Sequence, residues 1–254
     1  MSEAAYVNLE IEGAVGEITF FHPAHNSLPG DMLGKLAATI EDAGNHPDIK
    51  VILLKSGGNR TFCAGASFNE LVAIDNFDDG KKFFMGFANV INACRKCPKV
   101  IIGRVQGKAV GGGVGLAAAV DYCFATKYAA VKLSELTIGI GPFVVGPAVE
   151  RKIGVSCFAG LAINATEFQT AEWAFEKGLF HKIFETAEEM DEGIRELTQN
   201  LVSTSHTAQQ LIKKVTWEGT GHWDRLLEER AELSGRLVVS DFTKKVLEKY
   251  KTVS

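Results

Sequence analysis

Long apolar stretches are what this sequence most plainly lacks. No run approaches the roughly 18 to 20 residues that cross a bilayer, and the opening Met-Ser-Glu-Ala-Ala carries no basic-then-apolar leader pattern. A cytoplasmic protein without a membrane partner is the expectation. Positive charge is also short: 27 Lys and Arg against 31 Asp and Glu leave a net charge of −4. That balance offers no basic surface for a polyanion, which excludes nucleic acid as a partner. Cysteine is sparse and odd in number. Cys63, Cys94, Cys97, Cys123 and Cys157 are scattered through apolar runs, as reduced core thiols are, and do not make a disulfide framework. Cys94 and Cys97 form one isolated Cys-x-x-Cys with no second pair or nearby His to complete a zinc set. His22, His46, His181, His206 and His222 have no ligand spacing either, so no metal is expected. Long self-similar repeats and low-complexity segments are missing as well.

What is present is a chain of 254 residues, 46% hydrophobic and 23% charged, ample for one large domain or a domain with an appendage. Val7, Leu9 and Ile11 alternate with polar residues, and Val15 to Phe21 follows a glycine, which predicts a hairpin. Met32, Leu33, Leu36, Ala37 and Ile40 recur at helical spacing over Pro29 to Gly44, and Val51 to Leu54 is a continuous apolar run suited to a buried strand. A helix over about Gly80 to Lys96, a strand from Val100 to Gln106, a helix from about Gly111 and a strand near Tyr122 to Ala125 continue the alternation. The fold class is therefore α/β. From Ala187 onward the period is helical, with Trp217 and Trp223 flanking a glycine-bearing turn, which predicts a helical appendage.

Two glycine-bearing segments hold the candidate chemistry, Asn59 to Asn69 (Asn-Arg-Thr-Phe-Cys-Ala-Gly-Ala-Ser-Phe-Asn) and Gly107 to Leu116 (Gly-Lys-Ala-Val-Gly-Gly-Gly-Val-Gly-Leu). Each places small residues where a strand gives way to a helix, baring backbone N–H groups to a closely approaching ligand. Two such donors aimed at one carbonyl oxygen would stabilise an enolate. Gly111 to Gly115 also have a plainer reading, as spacers for close helix–strand packing. Gly113-Val-Gly115-Leu-Ala-Ala118 fits a loose G-x-G-x-x-A with Glu135 about twenty residues on, but it lies well inside the chain and leaves the upstream segment unexplained. Gly107-Lys108 is no P-loop, because no Ser or Thr follows the lysine.

Phe62-Cys-Ala-Gly-Ala66, Gly107 to Gly113 and Ala119-Val-Asp121, with Pro23 to Leu28 and Glu135 to Pro142, resemble the signatures of the crotonase (enoyl-CoA hydratase/isomerase) superfamily over most of the first 190 residues. The resemblance implies a spiral of repeated ββα units over 1–195 and a C-terminal helical region over 196–254 that builds a homotrimer or a dimer of trimers. It implies an acyl-CoA thioester as substrate, coenzyme A entering only as part of that substrate and no prosthetic group. It assigns the oxyanion N–H groups to Ala66 and Gly112, and coenzyme A to Ala24 and His25 and to Cys63, Ala64, Ser67 and Phe68. Gly115, Pro142 and Phe143 fall in the substrate pocket.

Family members project carboxylates from two positions, and this chain fills one. Gly115 stands where hydratases have glutamate, whereas Glu135 occupies the second position. Adding water to a 2-enoyl thioester uses two carboxylates; moving a double bond needs one base. The expectation is a Δ3-Δ2-enoyl-CoA isomerase with Glu135 as its shuttle, in an apolar setting of Ile138, Ile140, Phe143, Val144 and Val145 that raises its pKa. Hydration, thioester hydrolysis and a weakly active thioester-binding protein stay open beside it, since loss of the carboxylate at 115 would free volume near the acyl chain. Out of that context a lone Glu is a solvated surface residue. His25 is equally an ordinary loop residue, Ser67 and Ser134 lie in no nucleophile elbow, and Lys244 and Lys245 fit a solvated helix face.

Overall fold

The alternating segment forms β1 (Tyr6–Glu12), paired antiparallel with β2 (Val15–Phe21) across Gly13, whose φ of +58° suits glycine. The computed structural model describes residues 4–251. Next come β3 (Ser27–Leu28), α1 (Gly30–Asn45), β4 (Val51–Ser56), β5 (Thr61–Cys63), β6 (Gly65–Ala66), α2 (Phe68–Ala73) and α3 (Phe77–Lys96). They are followed by β7 (Val100–Val105), β8 (Lys108–Val110), α4 (Gly112–Ala119), β9 (Tyr122–Thr126), β10 (Ala130–Lys132), a 3₁₀ turn (Glu135–Ile138) and α5 (Gly146–Ile163), kinked at Gly154. The remainder holds β11 (Gln169–Thr170), α6 (Ala171–Glu176), β12 (Lys182–Phe184), α7 (Ala187–Ser203), α8 (His206–Thr216), α9 (Trp223–Val238) and α10 (Asp241–Lys251).

One sheet has the order β1-β2-β4-β7-β9-β12, parallel beyond the hairpin; the second runs β11-β10-β8-β5. Successive circuits such as β7-β8-α4 and β9-β10-α5 lay one strand in each sheet and then a helix, the ββα repeat that the resemblance implies. The continuous apolar run of β4 follows from burial on both faces. Ile52 and Leu54 join the central core with α1 and α3, while Val51 and Leu53 pack with Ile102, Phe124 and the α7 residues Met190 and Ile194. Cys63, Cys94, Cys97 and Cys123 are buried free thiols, and burial pushes Cys63, Cys94 and Cys123 up to about 12.

The division expected between residues 195 and 196 falls inside α7. Trp217, Trp223, Leu227 and Ala231 belong to the same core as β4 and α3. Asp121 ties these helices down: its carboxylate accepts from Lys213 Nζ, Trp217 Nε1 and the Ile101 N–H, each at 2.8 Å, with Lys213 only 3% exposed.

Candidate active site

The two glycine segments meet through the parallel pairing of β5 with β8, which sets Cys63 beside Ala109, and β6 is in turn paired with β3. Leu28 of β3 faces Ala66 of β6, and the Ser67 N–H donates to the Leu28 carbonyl at 3.0 Å. The Ala66 carbonyl accepts the Ser27 hydroxyl at 2.9 Å, which steadies the strand. Gly65 has φ +93°, and a Cβ there would lie 3.1 Å from the Val110 carbonyl oxygen and 3.6 Å from the Gly112 nitrogen. Only glycine lets β6 approach the start of α4 this closely.

α4 begins without a side-chain cap, because its N-cap is Gly111 at φ +53°. The Gly112 N–H is thus one of the orphan donors at the positive end of a helix, where negative charge is favoured. Phe87 of α3 lies against Gly112, since a Cβ there would come 2.2 Å from the ring. Gly113 is similarly pressed on Cys63, its Cβ position 2.4 Å from the Cys63 carbonyl oxygen. Close packing and bared donors are therefore two uses of one glycine run.

Glu135 reaches the same place from β10. The Gly111 N–H donates to the Lys132 carbonyl at 2.8 Å, which seats the start of the 3₁₀ turn beside α4. A Cβ on Gly111 would stand 2.9 Å from Glu135 Oε1. Glu135 Oε2 is sealed from solvent and has no hydrogen-bond partner among the described residues, although the residue as a whole is half-buried. Burial pushes its carboxyl up to about 7, against a lowering contribution from its own backbone N–H. The turn ends at Gly139, at φ +83°.

These groups line a cavity of about 150 Å³. Ala64, Ala66 and Phe68 form its outer rim; Phe87, Ile140, Val144, Val145 and Ser234 form buried parts of the wall. Of the residues expected at the site, Ala64, Ala66, Phe68, Gly112, Glu135, Pro142 and Phe143 line this space. Gly115 does not, and its expected place in the pocket is corrected. Val145 packs onto it, a Cβ at 115 falling 2.5 Å from Val145 Cγ1, so the absence of a side chain at 115 frees no room beside the cavity. Cys63 is fully buried behind the wall. The Ser67 hydroxyl caps α2 by accepting the Glu70 N–H. Ala24 and His25 lie exposed on the loop leading to β3, His25 at φ +55°, outside the cavity. That loop is pinned by buried Asn26, which donates to the Gly57 and Thr61 carbonyls at 2.9 and 2.8 Å.

Phe83, Phe84, Phe87, Leu71 and Ser234 also line the cavity and had no place in the sequence reading. The three α3 phenylalanines were visible only as helix residues; their spacing puts them on one side, but nothing in it says that side meets a ligand. Ser234 comes from α9, over 160 residues from Ala66.

An enoyl-CoA hydratase/isomerase family model matches residues 10–251. The short-chain-enoyl-CoA hydratase of Clostridium acetobutylicum is 29% identical over 215 residues, covering 84% of this chain and 81% of its own. The peroxisomal delta(3,5)-delta(2,4)-dienoyl-CoA isomerase of Arabidopsis thaliana is 27% identical over 236 residues, covering 85% and 83%. The enoyl-CoA hydratase structure from Bacillus halodurans shares the fold, with a TM-score of 0.88 at 23% identity over 96% of this chain and 99% of that one. A match across nearly the whole length, on a two-sheet spiral whose glycine turns bare backbone donors beside a glutamate with one oxygen sealed from solvent, means that this chain belongs to the enoyl-CoA hydratase/isomerase family.

Proposed function

We propose that this enzyme is a Δ3-Δ2-enoyl-CoA isomerase working through one carboxylate. The observation that carries the reading is Glu135: a single acid with a sealed oxygen, set against the glycine turn at Gly111, in an apolar cavity. Its carboxylate takes a proton from C2 of a 3-enoyl thioester. The C–H electron pair becomes the C1=C2 bond of a dienolate, whose negative oxygen accepts the Ala66 and Gly112 N–H groups. The carboxylic acid then returns the same proton at C4, leaving the double bond between C2 and C3. Each well-aimed oxyanion donor contributes about 2.7 to 4 kcal/mol of barrier lowering. A carboxyl near pH 7 suits both halves of the transfer, being neither too weak a base nor too weak an acid.

The Ala24–His25 loop and the Cys63–Phe68 segment would carry the coenzyme A portion outside the cavity. The hydratase reading is disfavoured by the environment of Gly115, where Val145 occupies the space a second carboxylate would need. Self-association into a trimer or a dimer of trimers is supported by exposed apolar side chains, including the α8 stripe of Leu211, Ile212 and Val215.

The deciding measurement is turnover of Glu135→Gln on a 3-enoyl-CoA, followed as formation of the 2-enoyl product. A loss of about 10² to 10⁴-fold in kcat is expected for a proton shuttle. Turnover left unaltered would sink the assignment, and robust hydration of crotonyl-CoA by the wild-type protein would favour the hydratase instead.

A further inference from the structure

The part of the cavity wall supplied by Phe83, Phe84 and Ser234 lies beside a close backbone crossing between α3 and α9. A Cβ on Gly80 would lie 3.0 Å from Gly235 Cα and 2.8 Å from Val238 Cγ1, and a Cβ on Gly235 would lie 2.8 Å from the Lys81 nitrogen. Two facing glycines let the helix backbones touch. Ser234, one residue before the crossing, is thereby held in the cavity wall at 1% exposure, its hydroxyl satisfied within α9 by the Arg230 carbonyl at 3.2 Å. Phe83 and Phe84 follow Gly80 by one turn, and their rings meet edge to face at 5.1 Å. Leu71 and Ile140 of the wall join Val238 and Leu247 in a buried cluster that includes α9 and α10.

We propose that this crossing makes the cavity an acyl ruler, admitting compact acyl groups of up to about six carbons and turning away chains of eight or more. The volume supports the limit: a dry apolar cavity of roughly 150 Å³ accommodates a benzene-sized guest, and this one measures about 150 Å³. Extension past Phe83, Phe84 and Ser234 requires α9 to lift off α3, which breaks the Gly80–Gly235 contact and the cluster behind it. Selection by length is then a property of the C-terminal helices of the same chain. The inference rests on the thioester reading of the site but not on which reaction follows.

The test is binding of saturated acyl-CoAs, from acetyl to decanoyl, to the full chain by calorimetry, a readout that needs no turnover. Affinity is expected to rise to about hexanoyl and to fall at least tenfold at octanoyl and decanoyl. Two variants move the limit in opposite directions, which a general loss of folding cannot imitate. Ser234→Leu fills the wall and is expected to weaken hexanoyl-CoA at least tenfold more than acetyl-CoA; Phe84→Leu is expected to recover octanoyl-CoA. Decanoyl-CoA bound as tightly as hexanoyl-CoA, or both variants shifting the limit the same way, would overturn the ruler alone. Failure of every thioester to bind would overturn the thioester reading and the ruler with it.

Discussion

Glu135 holds an ionisable group where ionisation is expensive, and the sign of that expense is testable. Its carboxyl moves from an ordinary 4.5 to about 7 on burial. Below pH 4.5 it is protonated whether the chain is folded or not, and there is no penalty. Between 4.5 and 7 the unfolded chain releases its proton while the folded one keeps it, so stability is lost as pH rises through that window. Above 7 the full penalty applies, on the order of 3 kcal/mol. Glu135→Gln, neutral throughout, is therefore expected to match the wild type in denaturant melts near pH 4 and to exceed it by about that amount at pH 8. A gap that does not change with pH would show that the carboxyl is not desolvated. Gly115 makes the second residue-scale case. Its Cβ position lies 2.5 Å from Val145 Cγ1 and 2.8 Å from Val145 Cβ, so Gly115→Ala is expected to cost about 1 to 3 kcal/mol by overpacking. Adding Val145→Ala should return part of it; a strictly additive double mutant would refute that contact as the cause.

Among the elements, α4 and the 3₁₀ turn bring different groups to the cavity: one presents orphan donors, the other a desolvated carboxyl, the base of the proposed reaction. The glycine turn was readable as a local signal, glycine before an apolar run, whereas Glu135 was singled out only through the family resemblance. Their juxtaposition was not readable, since it depends on a hydrogen bond from Gly111 to the Lys132 carbonyl and on the β8–β10 pairing. The Ala119-Val-Asp121 segment carried part of the family resemblance without a role. It is an anchor: Asp121 pairs with nearly buried Lys213 of α8 and accepts from Trp217. Asp121→Ala leaves that ammonium buried and unpaired and is expected to cost about 3 to 5 kcal/mol, with the near-ultraviolet signal of Trp217 changing at once. An effect below about 1 kcal/mol would mean that Lys213 finds water, as exposed pairs do.

For the molecule as a whole, the C-terminal helices are not an appendage set on a finished core. α9 contributes Ser234 to the cavity and Trp223, Leu227 and Ala231 to the interior, while α10 closes over the turn that bears Glu135, with Phe242 and Thr243 packed on Gly139. What these helices leave exposed is apolar in places, the α8 stripe of Leu211, Ile212 and Val215 above all. Sedimentation is expected to give three or six times the 27.5 kDa chain, and Ile212→Lys is expected to move the protein toward the monomer if that stripe lies between subunits. A wild-type monomer at micromolar concentration would refute the assembly.

By itself the sequence determined the α/β class, the first sheet's alternation of strand and helix and the two glycine turns, because each is written in local period and small residues, while the single carboxylate came from the family resemblance; the short strands of the second sheet left no such signal. Only the tertiary structure decided what surrounds them. Gly115 suggested open space and proved to be filled, since a vacancy in one side chain is taken up by whatever packs opposite, here Val145. The phenylalanine wall, Ser234 and the desolvation of Glu135 likewise depend on contacts between segments far apart in the chain. Close packing assigns interior volume without regard to sequence distance, so which candidate groups the chain carries is local while the size of the space they share is not.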